Sequence, residues 1–133
     1  SGFHLEDGKL AAIPDSARPL SSADADPAQV SFTTDGTMLI VTERGTDTIS
    51  SYRIDERGYA QGPATIKSSG QTPYGFGLTA DGSLIVSEAF GGTTGAAAAS
   101  SYAVSGAGEL TMVSGSPPDT GLATYLQVTT KLR

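Results

Sequence analysis

Short runs in which apolar and polar side chains alternate, separated by Gly-bearing turns, govern this chain from its first residues. Phe3 and Leu5 alternate with His4 and Glu6, Asp7-Gly8 turns the chain, and Leu10 to Ile13 follows, which predicts a β-hairpin. Residues 14–26 are polar and rich in turn formers, as a connecting loop is. Ala28, Val30 and Phe32 then alternate with Gln29, Ser31 and Thr33, the period of a strand with one buried face. Thr34-Asp35-Gly36 makes a turn. Met38 to Val41 is a continuous apolar run, expected where neighbouring sheets cover both faces. Thr48 to Ile54 reads as a third strand. Tyr59 to Ile66 reads as a weakly patterned fourth, where Pro63 suits an edge.

The pattern then comes back. Tyr74, Phe76 and Leu78 alternate with Gly75, Gly77 and Thr79, Asp81-Gly82 turns, and Leu84 to Val86 follows. Ala96 to Val104 and Glu109 to Ser114 complete the set. The two Asp-Gly pairs lie 46 residues apart (81 − 35), and Ser50-Ser51-Tyr52 returns as Ser100-Ser101-Tyr102. A period in the forties, built from short apolar runs and Asp-Gly turns, marks the four-stranded blades of a β-propeller. The predicted fold class is therefore all-β: four-stranded antiparallel meanders, with one full blade over 27–66 and another over 73–114. Residues 1–14 read as the last two strands of a blade. Residues 117–133 read as the first strand of a further one, Leu126 and Val128 mirroring Phe76 and Leu78. Glycines alternating along an innermost strand are expected to let backbones approach near the axis. Helical periodicity is absent, and Ala96 to Ala99, following Gly95, reads as strand or loop.

Length sharpens the picture. Closing a propeller takes at least about four blades, and 133 residues at this period hold fewer than three. The half-blades at the two ends are complementary, and unpaired edges recruit other strands. Residues 1–14 are therefore expected to pair with 124–129 of a second copy, or with the rest of a longer parent chain. A net charge of −6 repels phosphate backbones, which argues against nucleic acid. No run approaches the ~18 apolar residues of a membrane span, and Ser1-Gly2-Phe3 opens on a strand pattern rather than a signal peptide. A soluble domain is expected, in a compartment that the residues leave open. With no Cys there is no disulfide and no thiolate nucleophile or metal ligand.

In such blades the connections entering first strands and those leaving second strands share one face. That places Asp26-Pro27, Glu43-Arg44, Gln71 to Tyr74 and Glu88 together, with Glu43, Arg44, Tyr74 and Glu88 as candidate substrate-binding residues. Glu43 and Glu88 end the same strand in successive copies, and paired carboxylates do acid/base work when one is shifted by burial or by the other. Arg44 suits a bidentate grip on a carboxylate or phosphate. The alternative is that these are solvated strand ends, with Glu43 paired to Arg44 or Arg57. Catalytic residues stay unassigned. His4, the one histidine, is a strand residue pointing away from Phe3 and Leu5. Asp24, Asp26 and Asp47 lack the spacing of a calcium loop and read as turn caps. Gly91-Gly92-Thr93-Thr94-Gly95 lacks the Lys of a phosphate loop, and no G-x-S-x-G elbow occurs. No cofactor or metal is expected.

The stretch from Pro27 through Phe32-Thr33-Thr34-Asp35-Gly36 and Leu39-Ile40-Val41-Thr42 to Asp47-Thr48-Ile49-Ser50-Ser51-Tyr52 resembles the lactonase-type seven-bladed propellers. That family takes in relatives of 6-phosphogluconolactonase and 3-carboxymuconate cyclase and shares its YVTN-type repeat with surface-layer propellers. Pro73 to Val104 is similar to the same motif. The resemblance implies a propeller carrying fewer than three of seven blades, with lactone hydrolysis or muconate cycloisomerisation as the family's activities. It also implies a small sugar-lactone-like ligand. The same repeat serves non-catalytic modules for self-assembly or for binding a ligand or protein, which is the alternative function.

Overall fold

The computed structural model describes residues 1–115. The strand expected in 117–133, and its pairing with residues 1–14, lie outside the described residues. Strands β1 (Phe3–Glu6) and β2 (Lys9–Ala12) form an antiparallel hairpin with Leu5 opposite Leu10. Asp7 and Gly8 both take positive φ, 48° and 75°, as a two-residue turn needs to match the strands' twist.

Two four-stranded antiparallel meanders follow. One holds β3 (Pro27–Phe32), β4 (Met38–Glu43), β5 (Thr48–Ile54) and β6 (Ala60–Lys67) in chain order. The other holds β7 (Pro73–Leu78), β8 (Leu84–Glu88), β9 (Ala98–Val104) and β10 (Leu110–Gly115). The described residues are all-β apart from one 3-10 turn, Phe90–Gly92. Strand β9 begins two residues after Ala96, because the Ala96 N–H is held in a turn by the Thr93 carbonyl at 3.2 Å.

Each blade makes its first turn with the same device. The Asp35 carboxylate accepts Thr33 Oγ1 (2.6 Å), Thr37 N–H (3.1 Å) and Thr37 Oγ1 (2.9 Å), while Gly36 takes φ 72°. Asp81 repeats it with Thr79 Oγ1 and the Ser83 N–H, Gly82 taking φ 86°. These hydrogen bonds favour the charged form and hold both carboxyls below their ordinary value of 3.8.

The core lies between the blades. Ile40 and Ile49 of the first meet Phe76, Leu84, Val86 and Tyr102 of the second. Polar side chains cross the same seam. The Gln29 amide donates to the Phe76 carbonyl (2.9 Å) and accepts its N–H (3.0 Å), and Thr42 Oγ1 donates to the Tyr74 carbonyl (2.6 Å). The β7 backbone is thus tied across the blade junction to side chains of β3 and β4.

Two sequence expectations are corrected. Val30 and Phe32 are 60 % and 54 % exposed, whereas Phe76, one repeat after Val30, is 6 % exposed. The first blade covers Phe76, and no strand among the described residues covers Val30. The outer half of that same face is covered: residues 13–26 run across it, and Tyr52 Oη donates to the Pro19 carbonyl at 2.7 Å. At Gly75, one of the two inner-strand glycines, the expected close backbone approach is not found. A Cβ on Gly75 would sit at an ordinary 3.5 Å from Ser87 Oγ, but one on Gly45 would lie 2.1 Å from the Asp24 carbonyl.

Candidate functional site

Both inner strands start at a proline preceded by a left-handed residue, Asp26 at φ 44° before Pro27 and Thr72 at φ 57° before Pro73. Such a conformation costs a non-glycine residue about 1–3 kcal/mol and survives where its surroundings hold it. Here they do. Arg44 N–H donates to the Asp26 carbonyl (3.1 Å) and Gly45 N–H to the Ala25 carbonyl (3.0 Å). In the second blade Ala89 N–H donates to Thr72 (3.0 Å) and Phe90 N–H to Gln71 (3.2 Å). Thr72 is pinned further, its N–H donating to Asp47 Oδ1 (2.6 Å) and its hydroxyl accepting the Gly91 N–H (3.0 Å).

Between these two corners lies an open cleft of about 820 Å³. Asp26 and Arg44 form the wall from the first blade. Thr72, Tyr74, Ala89 and the Gly91-Gly92 pair form the wall from the second. The Arg44 guanidinium faces the Asp26 carboxylate through two nitrogens. Nη2 donates to Oδ1 at 3.0 Å, and Nε lies 2.9 Å from Oδ2. That Nε contact is close enough for charge pairing but off the N–H direction, so this shielded N–H has no hydrogen-bond acceptor among the described residues. The hydrogen bond that Arg44 donates to Asp26, then the charge of that carboxylate, pushes the Arg44 pKa further up. The guanidinium carbon also sits 5.7 Å from the Tyr74 ring centroid, within cation–π range.

Of the four candidate residues, the cleft brings together Arg44 and Tyr74. Glu43 and Glu88 do not line it. They are 0 % and 1 % exposed, with their carboxylates turned into hydroxyl-lined sites inside the blades. Neither cation offered as an alternative partner for Glu43 pairs with it: Arg44 pairs with Asp26, and Arg57 lies over the Tyr59 ring. Among the described residues no group of three or more His, Cys, Asp or Glu is placed to hold an ion. His4, on β1, lies outside the cleft.

The sequence puts Asp26 on this face but reads it as a turn cap rather than as the partner of Arg44. The signal was in the repeat. Asp26, Tyr74 and Arg44 stand where the other copy has Thr72, Ala28 and Ala89, whereas Glu43, Ser50 and Tyr52 stand where it has Glu88, Ser100 and Tyr102. These three matched positions lie buried within the blades, whereas Asp26, Tyr74 and Arg44 line the cleft.

Comparison with known proteins agrees with this architecture. Residues 6–114 match the family model described as "Lactonase, 7-bladed beta-propeller". The crystal structure of a candidate 6-phosphogluconolactonase from Bacteroides fragilis superposes with a TM-score of 0.65 at 19 % identity, covering 81 % of this chain and 30 % of that one. A Lactobacillus plantarum protein superposes with a TM-score of 0.61 at 21 % identity, covering 84 % and 32 %. The chain thus spans about a third of the length of these structural relatives. Comparison with curated proteins finds no match. No helix among the described residues is long and apolar enough to cross a membrane.

Proposed function

The chain belongs to the lactonase family of seven-bladed β-propellers, and from that premise we propose that its inter-blade cleft binds a sugar-lactone-like ring. The observation that carries this reading is the Asp26–Arg44 pair set beside the Tyr74 ring in a cleft open to solvent. A polyol lactone needs acceptors for its hydroxyls, a donor for its ester oxygens and an apolar surface for its ring. Asp26, Arg44 and Tyr74 supply one each.

Hydrolysis asks for more: a carboxylate to activate water and a cation to hold the oxyanion that develops on the carbonyl. Asp26 is the carboxylate that reaches the cleft and Arg44 the cation. The assay is hydrolysis and binding of δ-gluconolactone by the purified chain. Arg44→Met weakens binding about tenfold or more, the worth of a charge-assisted hydrogen bond. Asp26→Asn lowers turnover further than affinity. Equal affinities for wild type and Arg44→Met contradict the reading.

A second reading concerns the exposed Val30–Phe32 face. One repeat later the same face is buried by a neighbouring blade, so its natural cover is a pair of inner strands. For this chain by itself the occupant is a second copy, whose alternating 124–129 segment supplies a first strand beside residues 1–14. Light scattering reads the outcome. A dimer or larger assembly that Val30→Glu with Phe32→Glu dissociates supports self-assembly. A wild-type monomer assigns the face to strands of a longer chain.

A further inference from the structure

Two buried carboxylates stand without a cation, since Arg44–Asp26 is the one salt bridge among the described residues. Hydroxyls and an amide take the place of charge. Glu43 accepts the Ser21 N–H (3.2 Å), the Ser21 hydroxyl, Thr46 Oγ1 (3.2 Å) and Ser50 Oγ (2.6 Å). An ionised carboxylate has about four acceptor sites, and these donors fill them. Glu88 accepts Ser68 Oγ (3.0 Å) and Ser100 Oγ (2.5 Å). Ser100 has one proton and gives it to the carboxylate, so the 2.9 Å contact between Ser100 Oγ and Tyr102 Oη takes the tyrosine's proton. Tyr102 Oη in turn accepts the Ser69 N–H at 2.8 Å.

The two sets repeat each other. In both, a serine of the segment entering the blade meets a glutamate ending the second strand. A serine of the third strand meets the same glutamate, and a tyrosine two residues on binds the entering segment's backbone. The entering segments are also the cleft's corners: Ser21 leads to Asp26, and Ser68 leads to Thr72. Little space separates anchor from segment. A Cβ on Gly70 would lie 2.7 Å from Glu88 Oε2.

We propose that Glu43 and Glu88 are positioning residues, each clamping one entering segment onto its blade and thereby setting one wall of the cleft. Glu43 holds the Asp26–Arg44 wall and Glu88 the Thr72–Tyr74 wall. The consequence for a ligand rests on the lactone-binding reading, but the clamp itself is testable without it. Amide hydrogen exchange on the full chain reads the backbone bonds behind each wall. Glu43→Gln speeds exchange at Arg44 and Gly45 about tenfold while leaving Ala89 and Phe90 unchanged, and Glu88→Gln does the reverse. Ser21→Ala, which removes one hydroxyl at the chain's surface, reproduces the Glu43→Gln pattern more weakly and serves if that variant does not fold. In parallel, δ-gluconolactone affinity falls in each variant in step with the local exchange.

Exchange that rises equally at all four amides, as global loosening would produce, overturns the proposal. So does exchange that moves at none of them. A wall-selective pattern in a chain that never binds the lactone upholds the clamp and sinks the ligand reading.

Discussion

Arg44 and Glu43 are neighbours in the chain with opposite fates, and the reason is strand alternation. Successive side chains leave a strand on opposite faces, so Glu43 turns into the blade while Arg44, at its exit, meets Asp26 in the cleft. The glutamates drew attention in the sequence because they recur at the same strand end. Recurrence is what a scaffold position shows. Arg44 opposite Ala89, by contrast, is a position where the two copies differ, and it lines the cleft. Burial and hydrogen-bond saturation of Glu43 were not legible, because they depend on Ser21, a loop residue with no periodicity to announce it. Glycines make the sharpest test at this scale. Gly45→Ala drives a Cβ against the Asp24 carbonyl and destabilises the chain by about 1–3 kcal/mol. Gly75→Ala meets only ordinary contacts and leaves stability unchanged or raises it by up to about 1 kcal/mol. Urea denaturation of both variants checks the contrast, and equal losses contradict it.

Strands and turns were the most legible features, since alternation and Asp-Gly pairs are local signals. The turn at Asp35 and its repeat at Asp81 were readable to the residue, and β3 through β6 begin and end within a residue or two of their apolar runs. The exposure of Val30 and Phe32 was not readable, because alternation predicts a face to be covered and says nothing of what covers it. The turns carry a pH signature. Asp35 and Asp81 have folded pKa values below the ordinary 3.8, so the unfolded chain binds more protons in acid. Their stabilisation is fully present above that ordinary value and is lost as pH falls through the depressed folded values. Asp35→Asn with Asp81→Asn should therefore flatten the decline of thermal stability as pH falls below 3.8, relative to wild type. An unchanged acid slope contradicts the role given to the two carboxylates.

For the whole molecule, the blades and the cleft come from one relation between them. The core that joins the two sheets, and the Gln29 and Thr42 bonds to the Phe76 and Tyr74 backbone, hold β3 and β7 side by side. The corners at Asp26 and Thr72 are therefore held in register across the junction, and the cleft is the space they frame. Family membership follows from the match over residues 6–114, while the ligand is argued from the cleft's own chemistry. Titration of the isotopically labelled chain with δ-gluconolactone, followed amide by amide in NMR spectra, tests that argument most directly. The expected result is shifts confined to Asp26, Arg44, Thr72, Tyr74 and residues 89–92, abolished by Arg44→Met. Shifts centred on the Asp35 and Asp81 turns instead, or none at saturating lactone, would show that the cleft is not where this chain meets its ligand.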